Sequence, residues 1–157
     1  MTPMKTAASN SVLLRNSEPG TPPPVILLVE DESIVREVTR EVLEHAGYHV
    51  LPSCGPEEAL RLAKQHEGQI GLLLTDVIMP GMNGADLAER LQSMRPDLIT
   101  VFMSGYAESD VVRNMRRQAV IHIEKPFTVE ILLSRIAEAM GTGVRSLPEV
   151  GLPDLSA

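Results

Sequence analysis

A doubly wound α/β fold, with a parallel sheet covered by helices on both faces, is what this sequence predicts. Three observations lead there. Short apolar runs recur along residues 25–123, each about the length of a strand buried on both faces. Stretches with apolar residues at helical spacing separate those runs. Glycine, proline or capping residues mark most of the boundaries between them.

The elements follow in order. Val25 to Val29 is a continuous apolar strand. Ile34, Val35, Val38, Val42, Leu43 and Ala46 then form a helical stripe, with Ser33 as expected N-cap and Gly47 as stop. Tyr48–Leu51 is a short second strand. Pro56 suits the first turn of a second helix, whose stripe is Ala59, Leu60 and Ala63. Ile70–Thr75 is the third strand. Leu87, Leu91 and Met94 mark a third helix, ended near Pro96. Leu98–Met103 is the fourth strand, and Val111, Val112 and Met115 mark a fourth helix. Val120–Ile123 is the fifth strand. Ile131, Leu132, Ile136 and Met140 mark a fifth helix, capped by Thr128. Five β-α units imply parallel strands whose carboxyl ends share one edge.

The flanks differ in character. Residues 1–24 are rich in Ser, Thr, Asn and Pro, close on Pro22-Pro23-Pro24, and read as a flexible arm or linker. Within them, Val12-Leu13-Leu14 reads as a stray apolar triplet rather than a docking patch. Residues 142–157, with Gly143, Pro148, Gly151 and Pro153, read as a flexible tail. The folded domain is expected over 25–141.

Composition narrows the function. The 157 residues carry a formal net charge of −7, which argues against nonspecific nucleic-acid binding by the whole chain. No apolar run approaches the roughly 20 residues of a bilayer span, and no basic-then-apolar leader opens the chain. Cys54 is the single cysteine, so no intrachain disulfide forms, which fits a reducing compartment and an expected cytoplasmic location.

Four loops or strand ends at the shared edge carry polar chemistry: Glu30-Asp31-Glu32, Asp76, Ser104-Gly105 and Lys125-Pro126. Taken singly, each has a plain reading: a solvated helix start, a lone acid, a turn, a surface lysine. Together they point elsewhere. Crowded carboxylates repel, and a hard divalent cation relieves the repulsion. Magnesium favours oxygen ligands and often binds through one or two carboxylates plus phosphate oxygens. Asp76 then suits a nucleophile toward phosphorus, with Lys125 and Ser104 sharing the charge on the phosphoryl oxygens.

Leu27-Leu28-Val29-Glu30-Asp31-Glu32, Asp76 with Met79-Pro80-Gly81-Met82-Asn83-Gly84, Met103-Ser104-Gly105-Tyr106 and Lys125-Pro126-Phe127 together resemble the receiver domain of two-component response regulators. The resemblance spans about residues 24–141. It implies a flavodoxin-like, five-stranded sheet in the order 2-1-3-4-5. It implies Mg2+-dependent phosphoryl transfer from a histidine kinase or histidine phosphotransfer protein to Asp76, in a signalling domain that acts on nothing but itself. By position, Asp31, Asp76 and the backbone carbonyl of Ile78 would bind the metal, and Glu30 would act through water. Ser104 would be the switch hydroxyl, Lys125 would contact a phosphoryl oxygen, and the Lys125–Pro126 bond would be cis.

The sequence departs from the family pattern at one switch position. An aromatic residue usually stands three positions before the lysine; here it is His122, which reads either as a half-exposed strand histidine or as a rotating switch residue. The fourth helix carries Arg113, Arg116 and Arg117, a solvated basic face or a partner contact. The resemblance implies that the fourth helix, fifth strand and fifth helix form a contact surface, open to a homodimer among other partners. The residues after Gly141 are too few for a DNA-binding domain, so output is expected through the receiver's own contacts, with the chain either free-standing or one piece of a hybrid histidine kinase.

Alternatives are weaker. A flavodoxin-like nucleotide or flavin binder needs Ser, Thr and Gly after the first strand, where this chain has three acids. An aspartyl-phosphate hydrolase needs a second acid two residues past the nucleophile, where Ile78 stands. A receiver-like binding module regulated without phosphorylation typically lacks the acid cluster or the lysine.

Ile78 and Tyr106 occupy the positions that tune acyl-phosphate hydrolysis in this family. Both are bulky and largely apolar, so they shield the phosphoryl group from water by bulk, and the phosphorylated form is expected to be long-lived. In a timed phosphate-release assay, wild-type protein should lose phosphate no faster than an Ile78→Asn variant.

Overall fold

A computed structural model of the chain describes residues 22–105 and 121–141. Their elements are β1 (Val25–Val29), α1 (Ser33–His45), β2 (His49–Ser53), α2 (Pro56–Gln65), β3 (Leu72–Asp76), α3 (Gly84–Met94), β4 (Ile99–Ser104), β5 (Ile121–Glu124) and α4 (Val129–Met140). The expected fourth helix and its arginines, Tyr106, and most of the arm and tail lie outside the described residues. The fifth expected helix is α4.

All five strands are parallel, in the order β2-β1-β3-β4-β5. Alternation along each strand divides the core in two. Leu27, Val29, Leu73 and Phe102 pack with Ala59 and Ala63 of α2 and with Leu87 and Leu91 of α3. Ile26, Leu28, Leu72, Leu74, Val101 and Met103 pack on the other face with Leu43 of α1 and with Leu132 and Ile136 of α4. Helices on both faces explain why the central strands read as unbroken apolar runs.

The first strand matches its expected range, but the third, fourth and fifth extend one residue further. Asp76 pairs with Met103, and Ser104 pairs with Glu124. Asp76 and Ser104 therefore belong to the ladder itself, since backbone pairing is indifferent to a polar side chain. At the other end, Ile70 and Leu98 are buried yet precede their ladders, so burial alone extended those strands too early in the sequence reading.

Caps show one correction. Ser33 is not the N-cap of α1: Glu32 holds that position, with no side-chain cap bond, and Ser33 is the first helical residue. Thr128 does cap α4, its Oγ1 accepting the Ile131 amide at 3.1 Å. Asn83 caps α3, its Oδ1 accepting the Asp86 amide at 2.8 Å. Pro56 opens α2 as expected. Gly47 has φ +103°, the left-handed geometry that follows a helix end.

Arg95, just past α3, ties that helix to the end of α2 on the same face of the sheet. Its guanidinium donates to the carbonyls of Ala63 (2.8 Å), His66 (2.7 Å) and Gly68 (2.9 Å). These are C-terminal and post-helix carbonyls of α2 that the helix itself leaves open. Arg95→Ala should destabilise the domain by about 1–3 kcal/mol in chemical denaturation. Arg95→Lys should recover little of that, since an ammonium cannot fork across three acceptors.

Candidate functional site

The carboxyl edge of the sheet collects the polar residues. Glu30 follows β1, Asp76 ends β3, Ser104 ends β4, and Lys125 follows β5. Because β1 and β3 are neighbours, Val29 pairs with Thr75 and the next residues, Glu30 and Asp76, stand side by side. The expected convergence of four strand ends is therefore present, with Asp31 joining at the start of the turn into α1.

Lys125 is the hinge of the cluster. Its Nζ donates to Glu30 Oε1 at 2.9 Å and lies 2.6 Å from Asp76 Oδ1. Asp76 is 3% exposed and Glu30 fully buried. Glu30 is held further by the Glu32 amide on its Oε2 at 3.2 Å. Its main chain is pinned from both sides: its amide donates to Ser53 O at 3.1 Å, and Arg36 donates to its carbonyl at 2.8 Å. The Lys125–Pro126 bond is cis.

These contacts set the charges. Burial pushes Glu30 up, but hydrogen bonds to Asp76 and Lys125 outweigh it and hold Glu30 below the usual carboxylate range. Burial and the neighbouring Glu30 push Asp76 up to about 8, against the pull of Lys125. Burial acts to lower Lys125, but Asp76 and Glu30 raise it, so it stays an ammonium. Without a metal, then, Glu30 and Lys125 are ionised and Asp76 keeps its proton near neutrality.

The donor set suits a hard cation. One carboxylate oxygen each from Glu30, Asp31 and Asp76 lies within 4.8 Å of the others, with Asp31 exposed and the other two buried. Asp76 Oδ1 is buried and faces the Lys125 ammonium at 2.6 Å without an aligned hydrogen bond. An under-satisfied buried oxygen beside two more carboxylates fits Mg2+ coordination. Ile78, two residues past Asp76, is 52% exposed.

Three features escaped the sequence reading. The Thr75 hydroxyl donates to the Asp76 carbonyl at 3.0 Å. Gly84, at the start of α3, lies against the Asp76 peptide. His122 is half-buried, and its Nε2 is hydrogen-bonded to Ser104 Oγ. Register could have revealed the last contact: His122 pairs with Phe102, two residues before Ser104, so both side chains lie on one face of the sheet. His122 is thus joined to the expected switch hydroxyl.

Comparison with known proteins agrees with this geometry. The family model described as the response regulator receiver domain matches residues 26–137. The chain is 34% identical over 116 residues to the sensor kinase CckA of Brucella abortus (strain 2308), covering 73% of this chain and 12% of the kinase. It is 34% identical over 121 residues to the response regulator receiver protein CpdR of the same organism, covering 73% of this chain and 95% of that protein. It spans no more than 30% of two longer relatives, a transcriptional regulator and a phosphodiesterase. Among solved structures, the receiver domain of the hybrid histidine kinase CckA superposes with a TM-score of 0.63 at 33% identity, over 74% of this chain and 98% of that one.

The proton on Asp76 has a thermodynamic signature. A carboxyl raised from 3.8 to about 8 contributes stability that is full below pH 3.8 and is lost as pH rises through about 8. Lowered Glu30 acts oppositely, but only as pH falls below its ordinary 4.5. With divalent metal chelated, the gain in melting temperature of Asp76→Asn over wild type should grow between about pH 5 and pH 9.

Proposed function

Because the chain belongs to the receiver-domain family of two-component response regulators, we propose that Asp76 accepts a phosphoryl group from a phosphohistidine donor and that the modification switches partner contacts. The observation that carries this reading is Lys125, set between Glu30 and Asp76 at the carboxyl edge with Asp31 completing the acid cluster.

In the transfer, an Asp76 carboxylate oxygen bonds to phosphorus as the phosphorus–nitrogen bond of the donor breaks. The imidazole nitrogen keeps the electron pair and takes up a proton. Asp76 must be ionised to attack, so its proton leaves first. Lys125, already 2.6 Å from Asp76, places a fixed positive charge where the phosphoryl oxygens gather charge. Ser104, on the neighbouring strand end, offers its hydroxyl to one of those oxygens by exchanging its bond to His122. Bound Mg2+, held by Asp31, Asp76 and the Ile78 carbonyl with Glu30 reached through water, would neutralise carboxylates and phosphoryl oxygens together.

Two exposed apolar residues near the acids suit the donor protein. Ile34 and Val38 lie one turn apart on α1 and are 78% and 54% exposed. Together with Ile78 they offer exposed apolar anchors to a donor that presents a phosphohistidine to Asp76. The likenesses to a hybrid kinase and to a compact receiver protein leave both settings available to the chain, a cytoplasmic relay within a kinase and a separate regulator. Among the described residues, no helix is long and apolar enough to cross a membrane.

Incubation with acetyl phosphate, followed by intact mass, should add one phosphoryl group to wild-type protein with Mg2+ and none without it. Asp76→Asn should take up none. Modification that survives Asp76→Asn, or occurs equally without Mg2+, would overturn the assignment. Absence of any modification would favour a binding module regulated without phosphorylation.

A further inference from the structure

Gly84 is buried at the first turn of α3, and its amide donates to the Val77 carbonyl at 2.6 Å. A Cβ placed on Gly84 would fall deep inside contact with the carbonyl oxygen of Asp76. It would also stand 3.1 Å from the Asp76 carbonyl carbon and 3.2 Å from Val77 Cα. All three atoms are main chain, so no side-chain rotation relieves the overlap. From elsewhere in the site, Thr75 Oγ1 donates to that same Asp76 carbonyl at 3.0 Å.

Gly81, in the same loop, is a glycine for a different reason. Its φ is +93°, and an added Cβ would meet nothing within 4 Å. Gly81 serves backbone conformation, whereas Gly84 serves space.

We infer that Gly84 is a positioning residue for the phosphoacceptor. Its missing side chain lets the start of α3 lie against the Asp76–Val77 peptide. That contact, with the Thr75 hydroxyl, fixes where the Asp76 carboxylate stands relative to Glu30, Asp31 and Lys125. The inference rests on the reading of Asp76 as a metal-binding phosphoacceptor. A methyl at Gly84 forces the Asp76 peptide to shift, and Mg2+ tolerates little error in the placement of its ligands.

The test compares the intact wild-type chain, Gly84→Ala and Gly55→Ala by amide NMR, first without metal and then through a Mg2+ titration. Gly55 has extended backbone, φ −178°, and an added Cβ there would meet nothing within 4 Å. Without metal, the Asp76, Val77 and Lys125 amides should move in G84A and stay near their wild-type positions in G55A. In the titration, G84A should bind Mg2+ about tenfold more weakly or worse, as loss of an outer supporting contact does at metal sites, and G55A should stay within about threefold of wild type. G84A binding within about twofold of wild type, or equal weakening in both variants, would overturn the inference. If G84A does not fold, Thr75→Val removes the opposing hold without adding an atom. It should weaken Mg2+ binding about threefold, and unchanged affinity would equally overturn the inference. A wild type that ignores Mg2+ while the metal-free shifts appear in G84A would sink the metal reading and leave the positioning role standing.

Discussion

Three carboxylates crowd the carboxyl edge of this sheet with one ammonium among them, and the rest of the site is arranged around that imbalance. A buried carboxylate is costly unless paired and hydrogen-bonded. Lys125 pairs with two of the three, Glu30 gains a backbone amide, and Asp76 answers the remaining repulsion by keeping its proton. The cluster is short of positive charge in this state. A divalent cation or a change of protonation alters the balance directly, which is what a switch needs at its input.

The sheet makes that cluster rigid. β1 and β3 are central strands, paired on both sides and covered by helices on both faces. Glu30 and Asp76 sit at adjacent strand ends, so their separation is set by the spacing between neighbouring strands rather than by loop conformation. Lys125 and Ser104 come from the far side, where β4 and β5 end the described sheet. The acids thus stand on its most constrained part, and the residues that would answer the phosphoryl group stand nearer its edge. Ser104 is joined to His122 on β5 by a hydrogen bond.

Much of this was legible in the sequence because it follows from periodicity and from strand ends. The apolar runs located all five strands, and the parallel arrangement brought Glu30, Asp76, Ser104 and Lys125 to one edge. The motifs around them identified the family. What stayed hidden depends on three-dimensional contact. Ser33 looked like a cap because serine suits that role, but the chain turns one residue earlier, at Glu32. Asn83 and Gly84 stand in the sequence as letters of a family motif, whereas one caps α3 and the other makes room for Asp76. Arg95 carries no pattern at all, because its acceptors lie about thirty residues away in sequence.

The Arg95 clasp has a consequence for how such a domain can diverge. All three of its acceptors are main-chain carbonyls, at Ala63, His66 and Gly68. Every amino acid supplies that oxygen, so the segment leaving α2 can exchange side chains freely as long as its path is preserved. The tether recognises shape and ignores spelling. A lineage could therefore rewrite that surface, and any outside contact made there, without loosening the far end of the molecule from which the signalling edge is held.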